Sequence, residues 1–214
     1  MPNEGKSTVT SNLARAMSFA GSKVLLIEGD LRRGRLHKLF NVLNEPGLSD
    51  VLQGRKKFSE TVQILDDNPN LHFIGRGTKV KNPGEQFLSS AMDRFLREVY
   101  NQYDYILIDS APVMAADDTT SLAPKMDGVL FVVRSGFTSI RSLNQSLELL
   151  EKRQVKLLGI IYNRADTTGA EYGSYYKYSE YYITDDDQPD NSKDKKSKKD
   201  KKKPAEPQDV AAAG

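Results

Sequence analysis

Pro2-Asn3-Glu4-Gly5-Lys6-Ser7-Thr8 stands at the head of the chain and runs straight into a helical pattern over residues 7–20; its reading decides the fold. Gly-Lys-Ser opening a helix is the second half of a phosphate-binding P-loop. At such a helix start the unpaired backbone N–H groups and the positive end of the helix dipole face a polyphosphate. Gly5 lets the backbone come close, the Lys6 ammonium reaches the β- and γ-phosphates, and the Ser7 hydroxyl enters the shell of Mg²⁺. Alone, the tripeptide is also a plain helix start. The full pattern needs an earlier small residue and a strand before the loop. In register both would precede Met1, so the expectation is a sequence that begins inside its own P-loop and lacks the first strand.

Two further stretches give the tripeptide company. Residues 24–30 read VLLIEGD and residues 105–112 read YILIDSAP, each an apolar run ending in a carboxylate. In an open parallel sheet, ligands bind at the carboxyl ends of strands. A carboxylate there can hold Mg²⁺ directly or through water, and Asp109 is the candidate for that role. The bland alternative is a strand-end Asp that caps the following turn.

The remaining pattern is that of βαβ units. Strands are expected at 24–28, 71–75, 105–109, 128–134 and 157–162. Helices are expected near 7–20, 84–102, 116–124 and 139–154, and a short one at 47–52 with Gly54 ending it. Leu143, Leu147 and Leu150 lie at helical spacing and predict one stripe packed on the sheet. The fold class is therefore α/β, a P-loop NTPase with a mostly parallel sheet flanked by helices. Three segments follow: a globular domain over 1–164, a tyrosine-rich stretch over 165–182, and a charged, low-complexity tail over 183–214.

Composition closes off several classes. With Cys 0 and His 2, disulfides, thiolate zinc sites, cysteine nucleophiles and histidine-rich metal sites are excluded. No apolar run approaches the roughly 20 residues that span a bilayer, and no signal-peptide pattern opens the chain. A mean hydropathy of -0.57 is low for a compact domain, and the tail accounts for it, having too little apolar content to offset ordering entropy. In 183–214 eight Lys oppose eight Asp/Glu, which reads as a solvated spacer or as a weak attraction to an anionic membrane surface.

In combination these stretches resemble the bacterial tyrosine kinases of capsule and exopolysaccharide synthesis, the BY-kinases of the MinD/ParA-like branch of P-loop ATPases. PNEGKST resembles the family's Walker A loop and LLIEGDLRRGRLHKLF its Walker A′ stretch with the basic run behind it. GLSDVLQG, NPGEQFLSS, YDYILIDSAP, DGVLFVVRSGFTS and LLGIIYNR follow in the expected order. The cluster Tyr172, Tyr175, Tyr176, Tyr178, Tyr181 and Tyr182 closes the match.

The resemblance implies transfer of the γ-phosphoryl of ATP, with Mg²⁺, to those tyrosines as phosphoacceptors. It implies that Asn3, Glu4, Gly5, Lys6, Ser7 and Thr8 surround the phosphates, that Asn163 reads adenine beside Arg164, and that Ser7, Asp30 and Asp109 support the metal. It places Lys6, Glu28, Asp30 and Asp109 in the catalytic set, with Glu28 where a carboxylate, often Asp, accepts the tyrosine proton. Arg32, Arg33 and Arg35 would steady phosphate charge, meet a neighbouring subunit, or form a solvated basic face. The implied partners are a membrane-spanning activator or chain-length regulator, fused or separate, and a second copy through the tyrosine tail. Nucleic acid is not among them. The implied place is the cytoplasm, at the inner face of the plasma membrane through a partner or a missing upstream region. Two rivals stand beside this reading: a MinD/ParA-type partitioning ATPase, which usually carries a second lysine early in the loop, and a non-catalytic remnant.

Overall fold

The computed structural model describes residues 3–65 and 68–166. The tyrosine cluster and the charged tail lie outside the described residues, as do Met1 and Pro2. The chain runs α1 (Lys6–Phe19), β1 (Val24–Glu28), α2 (Leu36–Leu39), α3 (Leu48–Leu52), β2 (Gln63–Leu65), β3 (Asn68–Ile74), α4 (Pro83–Leu88), α5 (Ser90–Tyr100), β4 (Tyr105–Asp109), α6 (Asp118–Leu122), β5 (Val129–Arg134), α7 (Ile140–Lys152) and β6 (Leu157–Asn163).

β1 is buried along its whole length, as expected of a central strand covered on both faces. It pairs in parallel with β3 on one side and with β4 on the other. Side chains alternate across it. Leu25 and Ile27 join Ile74, Phe87, Met92 and Phe95 in one core, beneath α3, α4 and α5. Val24 and Leu26 join Ala14, Leu71 and Phe73 in a second core, on the α1 side. β5 and β6 form a separate parallel ladder. Phe131 and Val133 there meet Leu143, Leu147 and Leu150 of α7, the stripe predicted from helical spacing. Among the described residues no ladder joins β4 to β5.

Several elements differ from the sequence expectation. The helix expected over 84–102 is two helices, because Ser89 (φ −71, ψ 153) is extended and serves as the N-cap of α5. The strand expected at 71–75 begins at Asn68 and carries an antiparallel partner, β2, that sequence reading did not find. The helix expected over 116–124 is shorter, passing at Ala123 into a 3-10 turn that holds Pro124. The short α2 was not expected.

Candidate nucleotide and metal site

Gly5 caps α1 with φ +93, in the left-handed region that glycine adopts freely. Close approach requires glycine there too, since a Cβ would sit 2.2 Å from Asn163 Nδ2. No acidic residue occupies the first turn of α1, so the positive end of the helix is unopposed from within its own sequence.

The loop is fastened from the carboxyl ends of β5 and β6. Asn163 Nδ2 donates to the Glu4 carbonyl at 2.8 Å, and Arg134 Nη1 donates to the Asn3 carbonyl at 3.4 Å. The buried Glu4 carboxylate accepts from Thr138 Oγ1 at 2.8 Å. Its other oxygen lies 3.5 Å from Lys6 Nζ, an ion pair across the loop. Asn163 Oδ1 accepts from the Arg164 amide at 2.9 Å. Asn163, which the resemblance assigns to adenine, thus holds the phosphate loop in this structure. Thr8 is exposed in the first turn of α1, and Arg164 is exposed after β6. Arg134 and Thr138 were not among the predicted site residues. Their signal lay in the DGVLFVVRSGFTS stretch, which follows the β5 pattern directly.

The acidic residues meet the loop from the other side. Glu28 and Asp109 are register partners across β1 and β4. Asp109 is 3% exposed, and its Oδ1 has no hydrogen-bond partner among the described residues. Burial pushes its pKa up to about 6; the Ser7 hydroxyl and the Lys6 charge act against that rise, while Glu28 and Asp30 add to it. Ser7 as a hydrogen-bond partner, and Lys6, Glu28 and Asp30 as neighbouring charges, therefore all act on Asp109. The Asp30 Oδ1 atom accepts from the amides of Arg32 at 3.1 Å and Arg33 at 2.8 Å. Glu28 is fully buried. One oxygen accepts from the Leu36 amide at 2.5 Å, and the other lies 3.0 Å from His37 Nδ1. Arg32 forms a two-pronged pair with buried Asp118 at 2.6 and 3.1 Å. Asp118 opens α6 and was likewise not foreseen.

These residues fit a nucleotide-bound Mg²⁺. A buried, unpartnered carboxylate oxygen beside a serine hydroxyl is a hard-oxygen donor set of the kind Mg²⁺ accepts. Among the described residues no group of three or more His, Cys, Asp or Glu forms a ready-made metal cage.

The profile of the AAA domain family AAA_31 matches residues 4–160, so the fold and the site define a P-loop ATPase of that family. Tyrosine-protein kinase YwqD of Bacillus subtilis is 34% identical over 175 residues, covering 81% of this chain and 73% of YwqD. Tyrosine-protein kinase ptk of Acinetobacter johnsonii is 34% identical over 171 residues, covering 80% of this chain and 23% of ptk. The kinase domain of Escherichia coli tyrosine kinase ETK superposes with a TM-score of 0.72 at 31% identity, covering 79% of this chain and 68% of that domain. The chain belongs to the bacterial tyrosine-kinase (BY-kinase) family. It spans about a quarter of the length of ptk and of several other curated relatives. The MinD cell division protein of Aquifex aeolicus shares the fold at a TM-score of 0.65 and 25% identity, which leaves the partitioning-ATPase reading the weaker one. No helix among the described residues is long and apolar enough to cross a membrane.

Proposed function

We propose that the chain is the P-loop kinase domain of a tyrosine autokinase, moving the γ-phosphoryl of ATP to Tyr172, Tyr175, Tyr176, Tyr178, Tyr181 and Tyr182 of its own C-terminal cluster. The observation that carries this reading is the crevice at Asp109, where a helix N-terminus, an ammonium, a hydroxyl and strand-end carboxylates meet. Phosphoryl transfer asks mainly for positioning and charge stabilisation, and those are the groups that supply them.

In this reading the α1 amides and Lys6 grip the β- and γ-phosphates, with Asn3, Glu4, Gly5 and Thr8 shaping the loop around them. Ser7 and Asp109 would hold Mg²⁺, with Asp30 reaching it only through bound water; when bound, the ion would neutralise phosphate charge. The tyrosine oxygen attacks the γ-phosphorus, the bond from that phosphorus to the bridging oxygen breaks, and the tyrosine proton passes to a carboxylate. Asp30 suits the proton acceptor better than Glu28: Asp30 is partly exposed, whereas both Glu28 oxygens are engaged below the surface. Asn163 and Arg164 border the nucleotide from β6. The proposed setting is the cytoplasmic face of the plasma membrane. There the domain serves capsule or exopolysaccharide synthesis and export with a membrane-spanning activator, and associates with itself through the tyrosine tail.

Incubation with ATP and Mg²⁺, followed by mass spectrometry of the peptide holding residues 172–182, tests the proposal. Phosphotyrosine is expected in the parent chain and absent in Lys6→Met. Unmodified tyrosines in both would sink it. One observation favours a second reading, a non-catalytic interaction module: β4 and β5 share no ladder among the described residues. ATP titration separates the two, since a module of that kind gives no saturable binding.

A further inference from the structure

Arg33, Arg35 and Lys38 are exposed on the segment that follows β1. Their side chains have no hydrogen-bond or ion-pair partner among the described residues. Residues 31–44 contain no acid to neutralise them. The backbone beneath them is fixed at several points. Asp30 Oδ1 ties down the amides of Arg32 and Arg33. Buried Glu28 holds the Leu36 amide and His37, and a Cβ on Gly34 would stand 2.5 Å from the Glu28 side chain. Leu31 and Leu36 are buried on either side. Arg32 is committed to Asp118. Three unpaired cations are thus presented on an ordered rim a few residues from Asp30, and exposed charges of one sign on a fixed scaffold favour a partner of the opposite sign.

The chain itself contains that partner. Residues 171–190 carry Glu171, Glu180, Asp185, Asp186, Asp187 and Asp190 against the single Lys177; Glu171 precedes the tyrosine cluster, Glu180 lies within it and the four aspartates follow it. Resting on the autokinase reading, we propose that Arg33, Arg35 and Lys38 form the docking rim for the acidic flanks of this tyrosine segment, supplied by a second copy of the chain. The rim holds the carboxylates beside the tyrosines and so brings the hydroxyls toward Asp30. It acts on recognition of the segment and leaves phosphate binding at the α1 N-terminus untouched.

The full chain has Cys 0, which permits a direct test. Leu39, 58% exposed beside Lys38, is changed to Cys together with Ser179→Cys in the tyrosine segment. A control chain pairs Ser179→Cys with Tyr100→Cys, 68% exposed just before the start of β4 and thus at the amino edge of the sheet. Copper-phenanthroline oxidation is expected to join the rim pair between two chains at least about fivefold faster than the control pair at low ionic strength, an advantage lost as salt screens the charges. Adding Arg33→Glu and Arg35→Glu removes the advantage, and the milder Arg33→Gln with Arg35→Gln reduces it. Far-UV circular dichroism checks that each variant folds. Equal rates for rim and control pairs overturn the proposal. So does equal cross-linking with capture of the chain by phosphatidylserine vesicles, which assigns the rim to a membrane surface. Phosphotyrosine read on the same samples keeps the two readings apart. Phosphate with equal cross-linking overturns the rim and leaves the kinase standing. Preferential cross-linking without phosphate supports the rim and sinks the kinase.

Discussion

Glu28 and Asp109 are side by side across the β1–β4 ladder, yet their carboxylates have opposite surroundings. Glu28 accepts from the Leu36 amide and meets His37, so both of its oxygens are satisfied. Asp109 is buried and has one oxygen with no partner among the described residues. A satisfied buried carboxylate anchors structure; an unsatisfied one costs free energy until something cationic arrives. Two acids at equivalent strand ends are thereby separated, one toward the backbone of the Walker A′ loop and the other toward the phosphate loop.

The first prediction follows from the cost at Asp109. Its folded pKa of about 6 exceeds the ordinary 3.8. The folded state therefore favours the protonated form: stability from this group is fully present below about pH 4 and is lost as pH rises through about 6. That rise in pKa corresponds to about 3 kcal/mol. Asp109→Asn, which removes the charge, is expected to stabilise the nucleotide-free protein at about pH 8 by up to that amount, and by much less near pH 4. Urea unfolding at the two pH values reads it. The same variant should lose Mg²⁺-dependent nucleotide binding. A variant no more stable than the parent at alkaline pH would mean that Asp109 carries no such burden.

The second prediction separates anchoring from proton acceptance at Glu28. Glu28→Leu leaves the Leu36 amide unpaired in the core and should cost about 1–3 kcal/mol in thermal unfolding. Glu28→Gln keeps an acceptor for that amide and should retain most of the stability. If Asp30 takes the tyrosine proton, Glu28→Gln also keeps most of the phosphotransfer rate. A loss of about 100-fold or more with an intact fold would restore Glu28 as the base.

Much of this arrangement was legible in the sequence, for identifiable reasons. β1 and β4 are short apolar runs bounded by charge, Lys23 and Glu28 for one and Asp104 and Asp109 for the other, and their limits came out as read because that contrast marks both ends. The phosphate loop was legible because Lys-Ser after glycine has one common use at a helix start. Ser89 was not, since apolar spacing continues through it from Phe87 to Met92 and Phe95, and only its extended backbone breaks the helix. β2 is three residues long and pairs through a shifted register, too little for a periodic signal. The Arg32–Asp118 pair joins residues 86 positions apart, and nothing local at either residue points to the other. The Glu4–Thr138 bond spans 134 positions and was hidden for the same reason.

A third prediction concerns the tethers of the phosphate loop. Asn163→Ala removes the donor to the Glu4 carbonyl, and Thr138→Val removes the donor to the Glu4 carboxylate. Each neutral hydrogen bond contributes about 0.5–1.5 kcal/mol, so each variant should weaken nucleotide binding roughly three- to tenfold. Both tethers act on one residue, so their effects should not simply add. Titration calorimetry with the parent, the single variants and the double variant checks this. If Asn163 instead reads adenine, Asn163→Ala will weaken ATP far more than triphosphate alone; as a loop tether it weakens both alike.

The last prediction decides what Arg32 is for. Its guanidinium meets Asp118 in a two-pronged pair, and Arg76 Nη1 donates to its carbonyl at 3.2 Å. The pair raises the Arg32 pKa through its hydrogen bond to Asp118, but Arg32 is 47% exposed, so solvent screening limits its worth to about 1 kcal/mol. Lysine cannot reproduce the fork. Arg32→Lys should therefore lower the unfolding free energy by about that amount and change nucleotide affinity less than about twofold. Asp118→Ala should cost more, since it strips the guanidinium of its partner and empties a buried polar position at the start of α6. Were Arg32 a phosphate ligand, the order would reverse: Arg32→Lys would weaken ATP about tenfold or more and leave stability nearly unchanged. Chemical unfolding and ATP titration on the same two variants distinguish a brace between the β1 loop and α6 from a hand on the nucleotide.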